Sequence, residues 1–89
     1  MSYRTVFRPE ARSELRKLPR NVAMTVFRKL TELERDPLGF GTTALVGAPE
    51  IRRLRVGDYR VVYTVENEKL IIWVVHVGHR SSVYDRPLP

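Results

Sequence analysis

The residues best equipped for chemistry in this chain are its arginines. Arg52, Arg53 and Arg55 fall in one short segment, Arg60 in the next, and Gly78-His79-Arg80 and Tyr84 near the end. A guanidinium offers paired, charge-assisted hydrogen bonds that match a phosphate. Several on adjacent strands can therefore grip a phosphodiester and stabilise the added charge of its transition state. Arg60 precedes Val61-Val62-Tyr63, where a charge has little structural reason to stand, and it is read as functional. Period-two alternation puts Arg53 and Arg55 on one face and Arg52 on the other. For Arg55 the plainer reading is an exposed strand residue paired with Glu50 or Asp58. His79 is the group beside this set that titrates near neutrality, so it either moves protons or simply hydrogen-bonds at a strand end. His76 lies inside an apolar run and reads as a satisfied core histidine, while Tyr84 either stacks on a nucleobase or tethers the tail. No metal constellation, phosphate-cradling glycine signature or serine elbow is present, so no cofactor is expected.

Elements must hold these groups in place. Tyr3 to Phe7 suits a short strand that Pro9 ends. Ala11, Leu15 and Leu18 then recur at helical spacing from Pro9 to Leu18, and Pro19 closes that helix. Asn21 is the expected cap of a second helix, whose positions Ala23, Val26, Phe27, Leu30 and Leu33 hold period until Asp36-Pro37. Leu38 to Pro49 has loop chemistry, with Leu45 as its anchor into the core. Three strands follow, Ile51 to Val56, Tyr59 to Glu66 and Lys69 to Val77, joined at Gly57-Asp58 and Asn67-Glu68. Tyr59, Val61, Tyr63 and Val65 should pack under the helices, and Arg60, Val62 and Thr64 should point away. The last strand is apolar on both faces, which gives it an interior place in the sheet. The expected fold is α+β: an N-terminal strand, a helical hairpin and a three-strand antiparallel meander, with both helices on one sheet face. The opposite face is left for function.

With 89 residues, 16 Lys and Arg against 10 Asp and Glu, and a formal charge of +6, the chain is expected to be one small basic domain over 1–89. That charge favours polyanionic partners, though it is not confined to one block. Cysteine is absent, which removes disulfides, thiolate zinc sites and cysteine nucleophiles together. The longest apolar run, Leu70 to Val75, is far short of the roughly 20 residues of a membrane helix, and the first ten residues contain no signal-peptide stretch. A cytoplasmic protein with no membrane partner is expected.

The order of elements, the run Leu54-Arg55-Val56-Gly57-Asp58-Tyr59-Arg60-Val61-Val62-Tyr63, the motif Val77-Gly78-His79-Arg80 and Val83-Tyr84 resemble the RelE/ParE superfamily of bacterial toxin-antitoxin toxins, on the RelE side. The resemblance spans Tyr3 to Tyr84. It implies a ribosome-dependent endoribonuclease that cuts messenger RNA, is neutralised by a wrapping antitoxin, and reaches operator DNA only through that antitoxin. By position, Arg60 matches the family's arginine at the scissile phosphate, and Arg80 the arginine proposed to assist the leaving group. Tyr84 matches the aromatic that stacks on the substrate base, and Arg53 one of two lysines on the preceding strand. The second lysine position holds Ile51. Because a guanidinium is a poor proton acceptor, His79 or Glu50 takes the base role, or the ribosome supplies the activation. The short tail Pro87-Leu88-Pro89 implies that the C-terminal helix of some relatives, and any role tied to it, does not transfer.

The leading expectation is metal-independent RNA cleavage by 2′-hydroxyl attack, giving a 2′,3′-cyclic phosphate. A ParE-like poison of DNA gyrase is the alternative on the same fold. A decayed module that only binds antitoxin is the third. For the antitoxin contact the sequence leaves two surfaces open, the sheet edge and the groove beside the helix hairpin.

Overall fold

Three prolines punctuate the first half of the chain. In the computed structural model, which describes residues 2–39 and 41–79, strand β1 (Arg4–Phe7) gives way to the extended backbone of Arg8 (φ −63°, ψ 154°). Helix α1 (Pro9–Arg16) starts directly after it. Proline costs nothing at this first position, where an N–H would have no partner. Helix α2 (Arg20–Leu33) starts in the same way from Pro19 (φ −54°, ψ 145°). The expected cap at Asn21 is therefore corrected: Pro19 stands at the cap position two residues earlier, and Asn21 lies in the first turn with its carbonyl accepting from Thr25 Oγ1 at 3.0 Å.

Four more strands complete the sheet: β2 (Thr42–Leu45), β3 (Ala48–Val56), β4 (Tyr59–Glu66) and β5 (Ile71–His79). The spatial order is β1-β5-β4-β3-β2, antiparallel throughout except that β1 runs parallel to β5. The meander is thus as expected, but it sits in a five-stranded mixed sheet. The added strand, β2, lies within the segment read as loop. Leu45 does anchor this segment: it packs with Ala48 against buried Ile51 and Val62, a second, smaller core cluster separate from the one under the helices.

The main core lies under the hairpin. Ala11, Val26, Leu30 and Leu33 from the helices meet Leu54, Val56, Val61, Tyr63, Ile72, Val74 and Val77 from the sheet. Tyr63 is fully buried, and its hydroxyl donates to the Pro37 carbonyl at 2.6 Å, which satisfies the phenol and pins the chain leaving α2. Strict alternation would place Val74 and Val77 on opposite faces. Between the pairs Val62–His76 and Tyr63–Val74 the register steps by one, so Val75 is the extra residue of a β-bulge that returns Val77 to the core face. Among the described residues no helix is long and apolar enough to cross a membrane.

Candidate phosphate-binding site

Hairpin geometry places the arginines. Gly57 has φ 59°, open to glycine without strain, and the two-residue turn it makes with Asp58 pairs Val56 with Tyr59. Arg55 then stands directly opposite Arg60, and Arg53 opposite Val62, so all three side chains leave the helix-free face. Like charges facing each other across a ladder are unfavourable, and nothing in the fold requires them here. With Gly41, Thr42 and Thr43 the three arginines line a pocket of about 380 Å³, and among the described residues no carboxylate lines it. Arg53 Nε donates to Thr43 Oγ1 at 3.1 Å, and Arg60 Nη1 donates to the Tyr59 carbonyl at 3.3 Å. Such a cluster suits an anionic ligand, and a phosphodiester fits its fork-shaped donors.

Arg55 enters the site against the sequence expectation. It is exposed and faces Arg60, and among the described residues it forms no ion pair with Glu50 or Asp58. The signal was available: a two-residue turn at Gly57-Asp58 fixes 55 opposite 60. Thr43 carried no such signal, because its strand read as loop.

His79 is not brought to the arginines. Its register partner is Tyr59, on which it packs edge-on with ring centroids 5.5 Å apart, while Arg60 pairs with Gly78. Tyr59 belongs to the phase of Val61 and Tyr63, the helix side, so the imidazole stands one residue out of phase with Arg60. Glu50 is exposed and likewise out of phase with Arg53 and Arg55 on β3. Ile51 is buried against Val62, so the position of the second family lysine is apolar packing. His76 is half-buried beside Glu14, Nδ1 to Oε1 3.7 Å, and its Nδ1 has no hydrogen bond; it takes no place at the pocket. Arg80 and Tyr84 lie outside the described residues.

A larger groove of about 630 Å³ runs between the helices, lined by Phe7, Leu15, Leu18 and Phe27, with Arg12, Arg16 and Arg20 among its other residues. Its apolar floor suits side chains of a protein more than a phosphate.

Comparison with known proteins agrees with this geometry. Residues 5–84 match the family described as ParE toxin of type II toxin-antitoxin system, parDE. The toxin RelG of Mycobacterium tuberculosis is 34% identical over 90 residues, covering 97% of this chain and all of the relative. The mRNA interferase toxin RelE of Escherichia coli is 36% identical over 88 residues, covering 94% of this chain and 92% of the relative. Among solved structures, the isolated E. coli RelE toxin superposes with a TM-score of 0.79 at 33% identity, covering 94% of this chain and 93% of that one. The toxin of the intact E. coli RelBE toxin-antitoxin complex gives 0.77 at 34% identity, covering 88% and 96%.

Proposed function

The chain belongs to the ParE toxin family of type II toxin-antitoxin systems, within the wider RelE/ParE superfamily, and from that membership we propose that it is a toxin that acts as an endoribonuclease on messenger RNA. The observation that carries the chemistry is the Arg55–Arg60 cross-strand pair with Arg53 beside it, in a pocket that no carboxylate of the described residues lines. Three guanidinium groups hold the scissile phosphate and neutralise the charge that develops on its oxygens. Arg60 takes the central contact, Arg80 stabilises the departing 5′-oxygen, and Tyr84 stacks on the neighbouring base.

In the proposed reaction the 2′-oxygen bonds to phosphorus as the bond to the 5′-oxygen breaks. The 2′-proton passes to an acceptor and the 5′-oxygen gains a proton, leaving a 2′,3′-cyclic phosphate and a 5′-hydroxyl. Neither His79 nor Glu50 shares the arginine face, and among the described residues no imidazole or carboxylate lines the pocket. Charge stabilisation is therefore built into the protein, whereas activation of the 2′-hydroxyl is supplied by the ribosome around the message, in the cytoplasm. The E. coli RelE toxin has been solved in complex with its RelB antitoxin. This chain has an antitoxin partner of that kind, and through it the pair reaches operator DNA.

The test compares one RNA naked and in a ribosome with the protein bound. Cleavage confined to the ribosome, with 5′-hydroxyl ends that accept phosphate from a polynucleotide kinase, is the expected outcome. Equal cleavage of naked RNA overturns the ribosomal role, and 5′-phosphate ends overturn the chemistry.

A further inference from the structure

The chain's single tryptophan stands on the helix-free face of the sheet, apart from the arginine pocket. Ile72 and Val74 are buried in the core under the helices, so alternation turns Trp73, between them, to the opposite face. The ring is half-buried, and its Nε1 donates to Glu66 Oε1 at 2.9 Å, which fixes its orientation. The other Glu66 oxygen lies 3.9 Å from Lys69 Nζ, so a cation stands against that carboxylate's charge. Over the ring lies the guanidinium of Arg8, 4.9 Å from the centroid.

Strand β1 frames this ring with charge. Val6 is the register partner of Trp73, and Arg4 and Arg8 stand two residues to either side of Val6, so they share its face. Thr5 and Phe7 alternate to the helix side, where Thr5 bonds Glu34 and Phe7 packs edge-on against Phe27. Both arginines are exposed, and among the described residues neither forms an ion pair. An exposed guanidinium holds an aromatic face less strongly than a stacked base does. A nucleobase therefore displaces Arg8 from the ring and frees its charge to meet phosphate. Trp73 pairs with Thr64, which lies on the face of Arg60 four residues along β4, and this sets the ring roughly 14 Å from Arg60. Single-strand sites cover roughly four or more nucleotides, so one RNA strand reaches both places.

We propose that Arg4, Arg8 and Trp73 form a second RNA subsite, where a base away from the cleaved bond stacks on Trp73 and its flanking phosphates meet the two guanidinium groups. The proposal rests on the RNA-cleaving reading of the arginine pocket and adds where the strand is held beyond it. It is a second stacking position, besides the one given to Tyr84. Because Glu66 already takes the indole N–H, the ring offers a base only its π face. Every base has such a face, so the subsite adds affinity without selecting sequence.

A lone tryptophan reports on its own stacking. The probe is a 2′-O-methyl RNA of about ten nucleotides, which cannot form a cyclic phosphate and so stays intact, added to the full chain at low salt. Binding, followed by the anisotropy of a labelled copy, should be matched by a loss of Trp73 emission that saturates with it. Inorganic polyphosphate, which has the charge and no bases, should bind without that loss. Trp73→Leu should weaken RNA binding about tenfold or more, and Trp73→Tyr should restore it to within about threefold of wild type. RNA bound with Trp73 emission unchanged overturns the proposal, even if Trp73→Leu fails to fold. So does an equal loss with polyphosphate, or wild-type affinity from a folded Trp73→Leu. Unchanged RNA affinity and cleavage in a folded Arg60→Ala would instead remove the arginine pocket from the reading, while the emission still reports the Trp73 subsite. Absence of RNA binding by the wild-type chain overturns both.

Discussion

Arg60 is the residue on which the proposed chemistry turns, and it could be picked out from the sequence as a charge leading into Val61-Val62-Tyr63. Arg53 was legible from its alternation. Arg55 was legible only with the hairpin register in hand, and His79 could not be placed, because a shift of one residue along a strand moves a side chain to the other face. Since Arg55 and Arg60 repel each other across the ladder, Arg60→Ala should cut ribosomal cleavage about a hundredfold or more and leave the melting temperature at or above wild type. Single-turnover cleavage and a thermal melt on the same preparation check both halves. A stable variant with wild-type cleavage removes Arg60 from the site.

At the scale of elements, the helices and three meander strands announced themselves by period, by proline and by Gly57-Asp58. Strand β2 did not, because four residues without apolar alternation become a strand only when β3 lies beside them. The bulge at Val75 was equally hidden, since an apolar run looks the same with or without an extra residue. The turn that sets the arginine register offers a test. A Cβ at Gly57 would meet nothing within 4 Å, so Gly57→Ala should destabilise by about 1–2 kcal/mol through backbone conformation alone. Gly57→Asn should cost less, since asparagine tolerates positive φ. Chemical denaturation of both variants measures this, and equal losses would mean that something other than φ is at work. Tyr63→Phe orphans the buried Pro37 carbonyl and should cost about 1–3 kcal/mol in the same assay.

For the whole molecule, a +6 charge should speed encounter with RNA and with any acidic segment of an antitoxin. Association with the antitoxin should slow steeply between low and physiological salt, while dissociation, which depends on short-range contacts, should change little. Stopped-flow association and dissociation rates over a salt series separate the two, and a salt-independent association rate would show that charge does not steer the pair. Net charge and family resemblance are both legible in the sequence. What the sequence could not show was that Glu34 accepts from Thr5 N–H and Glu14 from Val77 N–H, which depends on where those carboxylates land after folding.

The central claim, that the arginine face cuts messages being translated, is tested most directly by mapping the 5′ ends of messenger RNA in a translating extract given the wild-type protein or Arg60→Ala. New ends inside coding regions with wild type, and at least about a hundredfold fewer with folded Arg60→Ala, are the predicted result. Intact messages with wild-type protein at concentrations that arrest growth, above all if gyrase supercoiling stalls in the same extract, would contradict it.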